Sequence, residues 1–348
     1  LYPARTAEPV LEARQMVALG LSAEGRFREA IAEYRTLVGA RIELLGPTHN
    51  SLAGLYNSMG NAQLQAGEPK EALATYEALV AVVDANDRGA TLNRAVGRYR
   101  VATALAALRR YPEAVAALES ALEMSDAIGG AQSVRSMRWR SGLAGFQARA
   151  GDLAAAEATL AKVDHALLVD DFGRAEASLN FAIVRSLQGR DEDALRLLAD
   201  ADRFLASQGN ATMRSSARVG FAMTYFRAGR AGEQIEAIEA AERTLSRQDG
   251  AESPDLADLR TALGRARLDR GDADGALTSL REAERFWMRF DPAGSDAARV
   301  QGHLGLVLAA RGESAEAAKS AANARAGLTR SVRADDMRLL ADLVRAGL

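Results

Sequence analysis

The tripeptide Asp171-Phe172-Gly173 is the stretch whose residue types most directly suggest catalysis. In protein kinases such an Asp holds magnesium, but it works only beside a His-Arg-Asp loop, a Gly-rich loop and a strand lysine. Here His49, His165 and His303 are followed by Asn50, Ala166 and Leu304, and no Gly-rich loop or strand lysine precedes the tripeptide. The segment DRGDADGALTSLRE, 269–282, gathers acids around a glycine as a calcium loop does. With Gly275 at the sixth position, however, Arg270 and Arg281 fall at the first and twelfth, where calcium needs carboxylates. A P-loop needs Gly directly before Lys, and Lys70, Lys162 and Lys319 follow Pro69, Ala161 and Ala318. With 0 cysteines, disulfides, thiolate zinc sites and cysteine nucleophiles are excluded. Three isolated His give no metal-ligand spacing. Asp170, Asp171 and the run GRDEDA read instead as acidic helix starts. The segment is expected to be non-catalytic, with no cofactor and no metal. Because it begins at Leu1 rather than Met, a catalytic domain upstream stays open.

What the sequence does show is a repeat. Turn positions fall at Gly25, Gly67, Arg109, Gly151, Gly189, Gly229, Gly271 and Gly312, spaced 42, 42, 42, 38, 40, 42 and 41 apart. Five residues after each stands Ala30, Ala72, Ala114, Ala156, Ala194, Gln234, Ala276 or Ala317. Seven residues before each is an Ala or Gly, from Ala18 and Gly60 to Gly264 and Gly305, preceded by a large apolar residue such as Met59 or Leu304. A fixed period of this length marks a helical solenoid. In each unit a helix A ends at the turn, where Gly supplies the left-handed conformation. Helix B starts just after it, with Pro69 and Pro112 in the first turn, where a missing N–H costs little. Small residues on A and B let the two backbones approach. Tyr34, Tyr76, Leu118, Leu160, Leu198, Ile238 and Leu280, one turn further along B, are expected to pack onto the next repeat.

The chain is therefore read as all-α: an α-solenoid of eight antiparallel hairpins in one domain, 1–348, with a capping helix. The repeats cover about 8–47, 48–88, 89–130, 131–169, 170–209, 210–251, 252–293 and 294–331, and the cap 332–348. Loops are expected near 86–90, 127–131, 207–211, 248–254 and 290–295. The amphipathic run VRADDMRLLADLVRA, 332–346, is expected to cover the last apolar face. No stretch of 18 apolar residues exists to span a membrane.

This register resembles the tetratricopeptide repeat (TPR) family along essentially the whole chain. The segment LLGPTHNSLAGLYNSMGNAQLQAGEPKEA, 44–72, is similar to the long repeats of kinesin light chains and their bacterial relatives, with Asn57 and Asn180 matching the Asn-rich stretch. The chain departs from that pattern at Gln234, at Arg109, and at the early helix-A aromatic, where it has Arg14, Tyr56, Arg98, Arg140, Ser178, Arg218, Arg260 and Gln301. The resemblance implies a binding scaffold whose A helices line a concave inner surface.

Charge patterning adds what the family does not. The A helices at about 50–66, 89–108, 131–150 and 210–228 contain no Asp or Glu. Three of them carry Arg94, Arg98, Arg100, Arg135, Arg138, Arg140, Arg149, Arg214, Arg218 and Arg227, while acids such as Glu113, Glu119, Glu233 and Glu236 sit on B helices. Two readings stand. The Arg line a basic groove, or they snorkel over repeat interfaces with stems buried; recurrence favours the second for Arg14, Arg98, Arg140, Arg218 and Arg260. By register, Asn57, Asn61, Tyr99, Thr103, Arg138 and Arg149 point into the groove. Asn there would hydrogen-bond a peptide backbone and Arg would fork onto carboxylates. The expected function is a protein- or peptide-binding scaffold for an acidic extended segment, the arm of a larger bacterial signalling protein with a Ser/Thr kinase or winged-helix regulator domain. The alternatives are a ligand-sensing array of a transcriptional regulator and, less favoured, an RNA-binding solenoid, for which Tyr99 and Phe226 are the main stacking candidates. The expected compartment is the cytoplasm, or the periplasm if an upstream membrane helix exists.

Overall fold

In the computed structural model of the chain, residues 8–168, 170–206, 211–246, 252–331 and 333–348 are described. The expected loop at 207–211 lies almost wholly outside them and that at 248–254 partly so. Every helix predicted from the repeat is present. The A/B pairs are α1 (Glu8–Ala23) with α2 (Phe27–Leu45), α3 (Leu52–Gln65) with α4 (Pro69–Asn86), α5 (Leu92–Ala107) with α6 (Tyr111–Gly129), and α7 (Val134–Ala150) with α8 (Leu153–Leu160). Then come α9 (Asp171–Leu187) with α10 (Asp191–Ala206), α11 (Ala211–Arg227) with α12 (Ile235–Ser246), α13 (Pro254–Asp269) with α14 (Ala273–Phe290), and α15 (Ser295–Ala310) with α16 (Ser314–Leu328); α17 (Ala334–Arg345) ends the chain. Among the described residues there is no strand, and no helix is long and apolar enough to cross a membrane.

The eight turn positions share one backbone state. Each of the seven predicted glycines has positive φ, from 73° at Gly229 to 95° at Gly151, and Arg109 adopts φ 59° in the same place. Helix B then begins in one of three ways. Asp152 and Asp272 accept a hydrogen bond from the backbone N–H of Ala155 and Gly275, which satisfies one of the helix's orphan donors. After four other turns the residue is Arg, and it forks onto the acid three residues on: Arg26 on Glu29, Arg110 on Glu113, Arg190 on Asp193 and Arg230 on Glu233. The remaining two turns are followed by Glu68 and Glu313, whose side chains make no cap bond. The B-helix acids thus form a less open acidic back than the sequence suggests. Asp170 caps Gly173, so the Asp-Phe-Gly tripeptide opens α9 as a helix start. Where the register falters at Gln234, a 3-10 turn over Ala231–Gln234 replaces the first turn of helix B.

The small positions are closed contacts. Ala18, Ala30, Ala72, Ala102, Ala114, Ala144, Ala156, Ala194, Ala276 and Ala317 are fully buried. At Gly60 even a Cβ would lie 2.3 Å from the Tyr76 ring, and at Gly264 2.5 Å from Leu280. The seven B-helix residues from Tyr34 to Leu280 are all buried, as their spacing predicts. Val17, the large apolar residue beside Ala18, stands 54% exposed, unlike the buried Met59 and Leu304 of its register.

The described residues divide into two compact units, the first running to Trp139 and the second from Arg140 to the C-terminus, so the boundary falls inside α7. Within each unit neighbouring A helices touch, α3 on α5 in the first and α9 on α11, α11 on α13, α13 on α15 in the second, whereas successive B helices make no comparable contact. Each unit therefore curves with its A helices on the inner side. In the second unit α17 packs against α15 and more lightly against α16.

Candidate functional site

On the A face of the first unit, Asn57 and Asn61 lie one turn apart on α3, and Tyr99 and Thr103 one turn apart on α5. All four are half-buried. Their acceptors are engaged internally: Arg100 Nε donates to Asn57 Oδ1 at 2.8 Å, and Tyr76 Oη to Asn61 Oδ1 at 2.7 Å. Burial pushes the Tyr76 hydroxyl up, so it stays a donor across the physiological range. Both Asn side chains therefore turn their amide N–H groups away from these bonds. Thr103 donates its hydroxyl to the Arg100 carbonyl at 2.7 Å, so it holds the helix and carries no free donor. Tyr99 stacks flat on Trp139, centroids 4.8 Å apart and planes within 7°, with the Arg100 guanidinium 5.7 Å from the Tyr99 ring. Trp139 escapes a reading based on charge, but its place next to Arg138 on an acid-free helix is the signal that marks it.

The recurrent early-A arginines resolve in favour of interfaces. Arg98 and Arg94 both bond Asp84 on the preceding B helix, Arg260 bonds Glu242 likewise, and Gln301 at the same register bonds Glu284. Arg14 bonds Glu33 of its own hairpin. The sequence left these partners unnamed because they lie on the next-door B helix. Arg218 is exposed and Arg140 buried. Of the remaining groove candidates, Arg138 is half-buried in the first unit; Arg149, half-buried in the second, adds to the positive charge felt by Arg227.

The A face of the second unit is covered by α17. Arg299 of α15 bonds Asp336 at 2.6 and 3.2 Å and is also paired with Asp296, and Arg265 of α13 bonds Asp342 at 2.6 Å. Arg333 clasps Asp335 at 2.6 Å. Asp336 is wholly buried. Burial disfavours the Asp335 carboxylate, but Arg333 and Arg299 overcome that and hold its pKa well below the usual range. Burial likewise opposes charge on Arg299, yet Asp336, Asp296 and Asp335 keep it firmly protonated. Arg227 of α11 fares differently: burial and then the Arg333 charge push it down to about 10. His303 is buried with Nδ1 unbonded, tilted against Phe226 at 5.2 Å, and burial with Arg265 and Arg299 pushes it down to about 3. The C-terminal helix is thus more than the end cap expected from sequence. It reaches back to the turn of the fifth repeat, where Arg338 bonds Asp191 at 3.3 Å. Among the described residues no group of three or more His, Asp or Glu could hold a metal ion.

Residues 99–167 and 261–328 match the tetratricopeptide repeat family pattern. No curated protein is significantly similar in sequence. Among solved structures, a Rap protein complexed with Competence and Sporulation Factor aligns with TM-score 0.59 at 12% identity, over 84% of this chain and 80% of that one. The APC/C hetero-tetramer Cut9–Hcn1 gives TM-score 0.59 at 14% identity, over 99% of this chain and 57% of that one. A tetratricopeptide repeat protein from Parabacteroides merdae gives TM-score 0.49 at 17% identity, over 86% and 98%. At these identities the likeness concerns the fold alone; the long-repeat subtype rests on the sequence pattern. With the period, the eight left-handed turns and the matched segments in agreement, residues 99–167 and 261–328 are similar to tetratricopeptide repeats and the chain folds as an all-α solenoid.

Proposed function

We propose that this chain is the non-catalytic interaction arm of a bacterial signalling protein, and that the A face of its first unit binds an extended acidic segment of a partner protein. The carrying observation is the hydrogen-bond sense of α3 and α5. Asn57 and Asn61 have their oxygens engaged by Arg100 and Tyr76, neither helix contains an acid, and Arg138 adds a cation. What the face offers a ligand is donors. Backbone carbonyls and carboxylates of an extended chain are the matching acceptors. Supporting context comes from the two neighbours at TM-score 0.59, both solved in complex with a partner. Tyr99 and Trp139 are stacked on one another, which removes Tyr99 from the list of free platforms for a nucleic-acid base.

The test is a titration of a fluorescent glutamate-rich peptide against the full chain and against Asn61→Asp and Arg138→Glu variants. Exposed Arg–carboxylate pairs contribute roughly 0–1 kcal/mol each, so affinity should come from several contacts and fall as salt rises. Asn61→Asp replaces two donors by acceptors on the binding face and should weaken binding at least about tenfold, about 1.4 kcal/mol. Unchanged binding in both variants, or displacement of the peptide by single-stranded RNA alone, would remove this reading.

A further inference from the structure

We infer that the outer face of α1 is a self-association surface, and that α1 pairs antiparallel with α1 of a second copy of this chain. The inference goes beyond the acidic-segment reading, which concerns α3, α5 and the start of α7.

The repeat register carries it. Fifteen, twelve, eight and five residues before the turn glycine, α3 has Leu52, Leu55, Met59 and Ala62. All four are buried, and α2 packs on that helix. The same four positions are buried in α13 and α15, which meet α12 and α14. In α1 they are Val10, Ala13, Val17 and Gly20, and all four are exposed. The first A helix thus keeps the apolar stripe that an interior A helix buries under the preceding B helix. Nothing from the rest of the described chain lies within 4 Å of the place a Gly20 Cβ would take. Met16 and Leu19 flank the stripe at 68% and 41% exposure. Four large hydrophobics therefore stand exposed on α1, while no other helix among the described residues exposes more than two. A contiguous exposed apolar patch marks an interaction surface.

The pattern of the stripe selects a second α1 as its occupant. Its spacing of 3, 4 and 3 reads the same in both directions, and large and small residues alternate along it. Antiparallel pairing about residue 15 sets Val10 against Gly20 and Ala13 against Val17 of the other copy, each contact made twice, as a two-fold interface requires. Each large side chain then fills the space that a small one leaves. No charge lies on the stripe, and the only charged residue between Glu12 and Glu24 is Arg14, which is tied to Glu33. The other end of the array offers no comparable partner. Six and thirteen residues after the turn, α2 has Ile31 and Val38, and α4 has Leu73 and Val80. There α16 has Ala318 and Arg325, both exposed. A head-to-tail stack would press a cation onto an apolar stripe, which costs stability. A pair of helices each about 24 Å long is small beside the usual interface, so the dimer is weak and depends on concentration.

Sedimentation equilibrium of the full chain tests this. The weight-average mass should rise from one chain towards two across the micromolar range. Val17→Glu should hold it at one, with unchanged helical circular dichroism, because Val17 is exposed in the monomer. Cysteines, of which the chain has 0, read the register. In the pair, Ala13 meets Val17 of the other copy, while the two copies of either residue lie about one helical turn apart, beyond disulfide reach. Chains carrying Ala13→Cys mixed with chains carrying Val17→Cys should therefore form, under mild oxidation, a disulfide-linked dimer that neither variant forms alone. A monomer at every concentration gives the face to another occupant and overturns the inference. So does a dimer that survives Val17→Glu, or one that cross-links as well in either cysteine variant alone as in the mixture.

Discussion

The two units carry the same residue type on the same helices and use it differently. In the first, Arg94 and Arg98 are tied to Asp84 at the rim of the B helix, with side chains still about a fifth exposed at 21% and 19%. In the second, Arg299 is 7% exposed and its partner Asp336 not at all. Arg98 and Arg299 stand at different registers of their A helices, and the neighbouring element decides whether an A-helix Arg is a surface tie or the centre of a buried ion cluster. The difference is set by α17, which supplies buried acids to the second unit.

The largest test of that contrast removes one Arg from each unit. Arg299→Ala leaves the wholly buried Asp336 without its closest cation, which costs about 3–5 kcal/mol. Arg98→Ala removes an exposed pair and should cost at most about 1 kcal/mol. Urea unfolding of the two variants checks this, and equal losses would mean that α17 is not packed as described. A leucine at position 299 leaves the same acid short of that cation, so it should be no better than alanine.

Next in size is a pH effect confined to the second unit. His303 is pushed down to about 3 in the fold, while an unfolded His titrates near about 6.5. Its folded pKa is depressed, so the folded state is favoured above about 6.5 and loses up to roughly 1.4 kcal/mol per pH unit as the pH falls towards 3. His303→Phe removes that slope. Asp335 and Asp342, also depressed by their Arg partners once burial is overcome, add a further loss only below about pH 4, where unfolded Asp begins to take up protons. Denaturant midpoints measured between pH 7 and 4.5 therefore separate the His from the Asp contribution.

These comparisons also show what the sequence could and could not reveal. The eight turns were legible because left-handed backbone needs Gly and small A/B contacts need Ala or Gly, both local demands. The pairing of Asp84 with Arg94 and Arg98, and the Trp139 platform, were not, because period and register report on a face and not on which neighbour it meets. The cap was legible as an amphipathic helix, yet its contact with Asp191 joins residues 147 apart, a separation no repeat pattern encodes. The groove candidates divided accordingly: Asn57 and Asn61 have their oxygens bonded to Arg100 and Tyr76, Thr103 serves its own helix, Tyr99 is stacked, and Arg138 and Arg149 belong to different units.

The smallest effect tests the turn itself, at the one position that breaks its rule. Arg109 adopts φ 59° where seven glycines do the same. A side chain in that region costs about 1–2 kcal/mol relative to a right-handed conformation, and Gly removes most of it. Against this, Gly gains more freedom on unfolding, about 0.5–1 kcal/mol, and the bond from Arg109 Nη1 to Tyr111 Oη at 2.9 Å is lost. The balance for Arg109→Gly is a stabilisation of at most about 1 kcal/mol, carried by the first unit alone. The reciprocal change, Gly67→Arg at the equivalent turn of the preceding repeat, introduces the strain without the Tyr partner, since Pro69 stands where Tyr111 does. It should destabilise by about 1–2 kcal/mol. Thermal melts of the pair check both signs together. A neutral or stabilising Gly67→Arg would show that the left-handed turn is not what selects glycine in this array.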